Sequence, residues 1–314
     1  MTGMQHFDAD FVRARLNTSA LLDALQSLFQ HGCTAPVRHA HTLPVPNAVD
    51  ASLLLMPAWQ SGRYLGTKLV TVFPGNSARN QPAVASIYIL FDALTGTPLA
   101  LMDGDALTER RTAATSALAA RYLAREDSQS MLVVGSGRIA RELALTHWDA
   151  RPSLREVRIW SRTSDRARVL VAELHNSGLP AALAPSLADA AGSADLISVA
   201  TLSTEPLLQR DWIQPGTHLD LVGAFRPGMR EAEDALVAAS RVVCDTRSGV
   251  LAEADDVRIP LAQGLLKDSA ILELADLCRG SMGRLDPTDI TLFKSVGAAL
   301  EDLAAAILVY ETSA

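Results

Sequence analysis

Cysteine, positive charge and long apolar runs are all scarce in this chain of 314 residues. The three cysteines, Cys33, Cys244 and Cys278, are widely spaced and odd in number, which favours neither a disulfide framework nor a zinc site. Apolar runs stay short of the ~18 residues that predict a membrane span, and charged residues precede the first apolar stretch. We therefore expect a cytoplasmic protein.

The excess of acidic over basic residues gives a net charge of -7, and there is no long Lys/Arg run. Nucleic acids and anionic membranes both require concentrated positive charge, so a small-molecule partner is the better expectation. Apolar residues make up 48% of the chain and charged residues 20%, which predicts a chain folded along nearly its whole length. Its length exceeds what one hydrophobic core usually serves, so we expect two domains.

The middle of the chain alternates between strand-like and helix-like patterns. An apolar run at 131–134 ends in Gly135-Ser136-Gly137, a helical pattern follows at 138–148, and a second strand-helix pair follows at 157–160 and 164–176. Further apolar runs lie at 195–200, 218–223 and 241–245. This alternation predicts an α/β domain with a parallel sheet covered on both faces.

The two ends of the chain have a different pattern. Strand-like runs at 52–57, 68–73 and 87–91 predict a separate α+β domain. A helix is predicted at 108–125, leading into the central domain, and another at 291–310. We therefore predict an α+β domain made of 1–125 and 291–314, with the α/β domain at 126–290.

The glycine-rich turn carries the clearest chemical signal. Gly135, Gly137 and Ala140 form a G-x-G-x-x-A pattern between a strand and a helix, with Arg138 and Ile139 opening the helix. The first glycine permits the turn, the second allows a pyrophosphate to approach the backbone, and the alanine allows close packing. The βαβ context favours dinucleotide binding over a purely structural turn.

The end of the second strand indicates which dinucleotide is bound. NAD-specific sites usually place an acid there, whereas this chain has Ser161, Arg162 and Thr163. A guanidinium between two hydroxyls suits a 2′-phosphate, so we predict NADP, with NAD possible. The alternative is a loop arginine that faces solvent.

An ordered series of short motifs spans nearly the whole chain and resembles the ornithine cyclodeaminase/mu-crystallin family. The motifs are Met56-Pro57, Gly66-Thr67-Lys68, Phe73-Pro74-Gly75-Asn76, Leu107-Thr108-Glu109-Arg110-Arg111-Thr112-Ala113-Ala114, Val222-Gly223-Ala224 and Ile290-Thr291-Leu292-Phe293-Lys294-Ser295-Val296-Gly297. The resemblance implies a homodimer with a Rossmann-type domain between the two parts of a substrate-binding and dimerisation domain. It also implies an NAD(P)-dependent enzyme acting on a small amino or imino acid.

The resemblance carries site residues with it. The family's ligands of the substrate carboxylate match Arg38, Lys68 and Arg111, and arginine forks do suit a carboxylate. Lys68 would be a proton donor or a third carboxylate ligand. The remaining matched positions are expected near the cofactor's phosphates or nicotinamide: Asn76, Ser295 and Val296.

Three departures from the cyclodeaminase pattern narrow the range of expected substrates. Phe225 and Leu54 stand where cyclodeaminases have acids, and Ala83 stands where they have a threonine. A second substrate ammonium buried without a counter-charge would be costly. We therefore expect ornithine to be a poor substrate. Phe225 and Leu54 suggest an apolar pocket wall that suits a ring or an aliphatic chain.

We predict a reductase that transfers hydride between the nicotinamide and the α-carbon of an α-imino or α-amino acid, such as pyrroline-2-carboxylate, without a metal. One alternative is a true ornithine cyclodeaminase, which releases ammonia and forms proline. Another is a crystallin-like protein that binds NADP without turnover, although retention of Arg38, Lys68 and Arg111 argues for chemistry.

Overall fold

The computed structural model describes residues 3–79 and 81–313. Contacts divide these residues into two compact units. Unit 1 runs up to Arg111 and resumes at Ala298, and unit 2 is Thr112–Gly297. The sequence had placed the two boundaries at 125/126 and 290/291. None of the helices within the described ranges is long and apolar enough to cross a membrane.

Strands and helices alternate along much of the chain. The strands are β1 (Gln5–Phe7), β2 (His39–Leu43), β3 (Ala51–Gln60), β4 (Tyr64–Val72), β5 (Val84–Asp92), β6 (Pro98–Asp103), β7 (Ser130–Val134), β8 (Glu156–Trp160), β9 (Ala181–Leu183), β10 (Leu196–Val199), β11 (His218–Leu221), β12 (Arg241–Cys244), β13 (Leu272–Glu273) and β14 (Thr291–Lys294). The helices are α1 (Ala9–Arg15), α2 (Thr18–His31), α3 (Gly104–Leu123), α4 (Arg138–Ala150), α5 (Ser164–Asn176), α6 (Leu187–Ala191), α7 (Asp234–Ala238), α8 (Arg247–Glu253), α9 (Asp255–Ala262), α10 (Leu274–Cys278) and α11 (Ala299–Glu311). Short 3₁₀ turns lie at Pro74–Arg79, Arg210–Trp212 and Asp268–Ala270.

Unit 1 is built on a six-stranded sheet with the order β1-β6-β5-β4-β3-β2. β1 pairs with β6 in parallel, and the other neighbours are antiparallel. Met56, Lys68, Tyr88 and Met102 lie side by side across the four central strands, and all four are buried. Because side chains alternate between the faces of a sheet, this row defines its inner face, against which α11 packs.

Unit 2 is an eight-stranded parallel sheet with the order β13-β12-β14-β11-β10-β7-β8-β9. Alternate residues of its strands belong to two separate buried clusters, which places a core on each face. β7 has β8 on one side and β10 on the other, so the strand order reverses there. The carboxyl ends of the strands at such a reversal are where open α/β sheets bind ligands.

The predicted helix at 291–310 is wrong over its first part, because residues 291–294 form β14. This strand lies between β11 and β12 in the sheet of unit 2, and all four of its residues are buried. Lys294, within the predicted helix range, is a buried strand residue whose ammonium lies 3.1 Å from Asp256 Oδ2. Gly297, with φ of +82°, separates the strand from α11.

Candidate functional site

Lys68 lies on the inner face of the sheet of unit 1 with its side chain almost fully buried. Its Nζ is 2.8 Å from each carboxylate oxygen of Asp302 and donates to Thr108 Oγ1 at 3.1 Å. Asp302 is in the first turn of α11, and Thr108 is in α3. Strand β4 and two helices therefore fix the position of one ammonium group.

Arg111 lies one helical turn beyond Thr108 and joins the same cluster. Its Nε donates to Asp302 Oδ1 at 2.8 Å and its NH1 to Glu301 Oε2 at 2.5 Å. Glu301 and Asp302 are both fully buried. Burial disfavours the charged guanidinium, but Asp302 and Glu301 outweigh it and raise the pKa of Arg111 above its ordinary value. Arg111 therefore stays cationic.

The pKa of Lys68 is lowered from 10.5 to about 8. Burial is the largest cause, Arg111 and Arg38 act in the same direction, and Asp302 partly opposes them. An ammonium with a pKa near 8 is mostly protonated at neutral pH and gives up its proton readily. Lys68 is therefore suited to proton transfer.

Arg38 immediately precedes β2, whose first residue, His39, pairs with Leu55. Continuing that register places Arg38 beside Met56, on the face that carries Lys68, and its charge is close enough to lower the pKa of Lys68. Leu54 lies on the same face, two residues from Met56 along β3. The structure thus brings Arg38, Lys68 and Arg111 into one region of unit 1, with an aliphatic side chain nearby.

Asn76 lies in the 3₁₀ turn that follows β4. Its Nδ2 donates to the carbonyl of Pro82 at 3.0 Å, and its backbone N–H donates to the carbonyl of Phe73. Phe73 in turn donates to the carbonyl of Ala83 at 2.7 Å. In this structure Asn76 shapes the loop between β4 and β5, and its contact with the cofactor stays a prediction.

The glycine turn in unit 2 has the geometry of a phosphate-binding loop. Gly135 has φ of +132°, and a Cβ there would lie 2.5 Å from the carbonyl oxygen of Ala200. Gly137 is the N-cap of α4, with no side chain capping the helix, and a Cβ there would meet nothing within 4 Å. The first backbone N–H groups of a helix and its dipole favour an anion, so the turn fits the pyrophosphate of a dinucleotide.

The predicted determinant of the cofactor's second phosphate lies beside this turn. Ser161, Arg162 and Thr163 follow β8, the neighbour of β7, and Ser136 Oγ donates to Ser161 Oγ at 3.1 Å. Arg162 and Thr163 are exposed. An exposed guanidinium at this strand end can bind a 2′-phosphate as the sequence predicts.

Ser295 and Val296 follow β14 at the same edge of the sheet and are held by a carboxylate that the sequence did not reveal. Asp245 Oδ2 accepts from Ser295 Oγ at 3.0 Å, from Val296 N at 2.8 Å and from Gly297 N at 2.7 Å. Phe225, after β11, is half-buried and packs against one of the core clusters of unit 2.

Sequence reasoning also missed Glu301 and Asp302, the acids that bind Lys68 and Arg111. Two adjacent acids in the apolar run that starts at Ala299 were the available signal, because acids buried in such a helix need cationic partners. Arg110, next to Arg111, is engaged elsewhere and donates to the carbonyl of Leu16. The different partners of these two adjacent arginines become clear only from the folded structure.

Unit 2 thus has a glycine turn that fits a dinucleotide, and unit 1 has a cluster of Arg38, Lys68 and Arg111 in which the pKa of the lysine is lowered. Together they define a nicotinamide-dependent oxidoreductase that acts on a small carboxylate. Comparison with known proteins agrees with this class. Residues 10–314 match the model of the ornithine cyclodeaminase/mu-crystallin family.

Named relatives cover most of the chain. Protein SAR DEFICIENT 4 of Arabidopsis thaliana is 42% identical over 89% of this chain and 87% of its own length. Delta(1)-pyrroline-2-carboxylate reductase of Paracoccus denitrificans is 36% identical over 90% of this chain and 92% of its own. The solved structure of Thermococcus litoralis Delta(1)-pyrroline-2-carboxylate reductase, in complex with NADH and L-proline, matches with a TM-score of 0.91 at 30% identity, over 99% of this chain and 97% of that one. The chain belongs to the ornithine cyclodeaminase/mu-crystallin family and is an NAD(P)-dependent oxidoreductase.

Proposed function

We propose that the chain reduces cyclic ketimine carboxylates, such as pyrroline-2-carboxylate, to the corresponding cyclic amino acids. The observation that carries this proposal is the cluster of buried Lys68 and Arg111 with partly buried Arg38. Three cationic side chains stand in this cluster against the two carboxylates of Glu301 and Asp302. A substrate carboxylate is favoured where positive potential persists in this way.

The residues divide the work of the reaction as follows. Arg38 and Arg111 hold the carboxylate and so orient the C=N bond. NAD(P)H, when bound at the glycine turn, would supply the hydride for the α-carbon. Lys68 Nζ donates the proton to the imine nitrogen, which becomes the amine, and recovers a proton from solvent. One imine, one NAD(P)H and one proton thus give one amino acid and one NAD(P)⁺.

A diamino acid substrate is disfavoured by the charges around the cluster. Glu301 and Asp302 already bind Arg111 and Lys68, and Leu54 supplies no carboxylate on the same face. Phe225 offers a ring in unit 2 where a cyclodeaminase has an acid. A cation on that ring gains about 0.5–2 kcal/mol, less than the cost of its desolvation. The L-proline bound to the Thermococcus litoralis relative is the product expected from reducing pyrroline-2-carboxylate, which supports the same choice.

The test offers the purified protein two kinds of substrate. Pyrroline-2-carboxylate or piperideine-2-carboxylate with NADPH should give rapid loss of absorbance at the nicotinamide band. Ornithine with NAD⁺ should release neither ammonia nor proline at a comparable rate. Rapid ammonia release from ornithine without reduction of either imine would contradict the proposal and favour a cyclodeaminase.

We also propose that the protein is a homodimer joined through the outer face of the sheet of unit 1. Residues on this face stay partly exposed although they are apolar, and they are continuous across the strands: Leu53, Leu55, Leu65, Leu69, Ile87, Ile89 and Phe91. An apolar sheet face of this extent is stabilised by the same face of a second copy. The cytoplasmic location stays a prediction from the sequence.

A further inference from the structure

Glu231 is a fully buried carboxylate on which two loops of unit 2 converge. These strand-end loops are 200–203, after β10, and 222–225, after β11. Glu231 Oε1 accepts from the backbone N–H of Thr201 at 2.9 Å and from its hydroxyl at 3.0 Å. Glu231 Oε2 accepts from the N–H groups of Gly223 at 2.9 Å and Ala224 at 3.0 Å. One carboxylate thus determines the spacing between the two loops.

The carboxylate of Glu231 lies close to two further buried charged residues. Lys294 Nζ lies 3.7 Å from Glu231 Oε2 and 3.1 Å from Asp256 Oδ2, and all three side chains are fully buried. Asp256 Oδ1 accepts from the backbone N–H of Glu231 at 2.8 Å. Burial is the largest influence on the pKa of Glu231 and raises it to about 7, with Lys294 opposing the shift and Asp256 adding to it. The surrounding partners therefore fix the carboxylate in place.

Packing makes these loops sensitive to small displacements. A Cβ on Gly223 would overlap the backbone of Thr201, so the two loops touch directly. On the other side, the carbonyl of Ala200 lies against Gly135, the first glycine of the phosphate-binding turn. A shift of Thr201 is therefore transmitted both to that turn and to Phe225, which follows Ala224.

The position of the loops indicates which part of the cofactor they meet. In a sheet of this topology the pyrophosphate lies at the end of β7 and the adenosine ribose at the end of β8. The nicotinamide half of a bound dinucleotide would then lie over the ends of β10 and β11, on the side of β7 away from β8. Resting on the proposed function, we propose that Glu231 is a positioning residue for the nicotinamide: it never touches the cofactor, and it fixes the loops that do.

The same unit supplies a matched control at its opposite edge. Asp195 Oδ2 accepts from Gln129 N, Ser130 N and Ser130 Oγ, and its Oδ1 binds Arg125 at 2.7 Å. This carboxylate also joins two segments with a basic partner, but it lies at the amino end of β10. Asp195→Asn removes similar bonds without reaching the strand-end loops.

The experiment compares Glu231→Gln and Asp195→Asn with the parent protein. The glutamine keeps one accepting oxygen, so it can accept from Thr201 or from Gly223 and Ala224 but not from both loops, because its amide nitrogen donates. We expect Glu231→Gln to weaken NADPH binding, measured by fluorescence titration, and to lower kcat, each by about tenfold. The isotope effect with 4-deuterated NADPH should rise, because a misplaced nicotinamide slows hydride transfer. Asp195→Asn should lower the Tm but leave affinity and isotope effect at parent values.

A folded Glu231→Gln protein with parent affinity and isotope effect would overturn the proposal, as would equal effects in Asp195→Asn. Should Glu231→Gln not fold, Thr201→Val decides, because it removes the hydroxyl's contacts with Glu231 and Ser203 but keeps the backbone bond to Glu231. Thr201→Val must then weaken NADPH binding and raise the isotope effect, as expected for Glu231→Gln. A Thr201→Val protein with the affinity and isotope effect of the parent would overturn the proposal. The titration needs no substrate, so failure of the parent to reduce imines would contradict the proposed function without affecting this result.

Discussion

At the scale of single residues, the chemistry depends on how the fold sets the acidity of Lys68. Its Nζ is buried between two arginines that repel it and one aspartate that attracts it. The resulting pKa of about 8 lies close to working pH, where proton donors and acceptors are most effective. Asp302 is the residue on which this balance depends, because it binds both Lys68 and Arg111.

The pH dependence of imine reduction should reflect this group. Lys68 must be protonated to donate, so kcat should fall as pH rises through about 8, whereas oxidation of the amino acid should rise over the same range. Asp302→Asn removes the charge that raises the pKa of Lys68, so the alkaline limb should move to lower pH. Initial rates from pH 6 to 10 measure both effects.

The matched control is Glu311→Gln, in the last turn of α11, where the acid is half-exposed and lies near Tyr64 and Arg63. It should leave the pH profile unchanged. An alkaline limb that stays in place in Asp302→Asn, or that moves to higher pH, would contradict the role given to this pair.

At the scale of helices and strands, regular local patterns were predicted well. The helix predicted at 164–176 is α5, because its polar start and apolar spacing are local properties. The glycine turn was also recognised, since Gly135 is required by backbone geometry and Gly137 leaves open space at the start of α4. β14 was mistaken for helix because Lys294 finds its partners, Asp256 and Glu231, only after folding.

The candidate site was predictable only in part, because its contacts also join residues that are far apart in the sequence. Arg38, Lys68 and Arg111 came from a family resemblance, since each alone is an ordinary charged residue. Their partners Glu301 and Asp302 lie about 190 residues or more from Arg111 or Lys68 in sequence, and no local pattern joins them. Long-range pairs between buried charges are therefore what the sequence concealed.

The prediction of cofactor preference rests on Arg162, which follows β8. Arg162→Asp exchanges a phosphate ligand for an acid that suits a ribose hydroxyl, so NADPH should bind roughly tenfold more weakly, with NADH unchanged or tighter. Titration of both cofactors measures this. Arg168→Asp, an equal charge change on an exposed residue of α5, should alter affinity by less than about twofold because solvent screens it. Parent protein that binds NADH as tightly as NADPH would show that Arg162 has no such role.

At the scale of the whole molecule, the proposed dimer depends on the outer face of the sheet of unit 1. Ile87 is 43% exposed and lies in register beside Leu69, which itself pairs with Leu55. A lysine in the middle of this row would bury charge without a partner in a dimer.

We therefore expect the parent protein to be dimeric and Leu69→Lys to be largely monomeric at micromolar concentration, as measured by sedimentation equilibrium. Leu285→Lys replaces an apolar residue of unit 2 that is 60% exposed and should leave the dimer intact. A monomeric parent protein, or a Leu69→Lys variant that remains dimeric, would show that this face does not join two copies.

The most direct test of the account follows the hydride itself. The protein is incubated with pyrroline-2-carboxylate and NADPH deuterated at C4 on each face in turn, and the product is analysed by mass spectrometry and proton NMR. We predict proline that carries one deuterium at the α-carbon for one of the two cofactor faces. Absence of deuterated proline with both cofactors, under conditions where the folded protein binds NADPH, would contradict it.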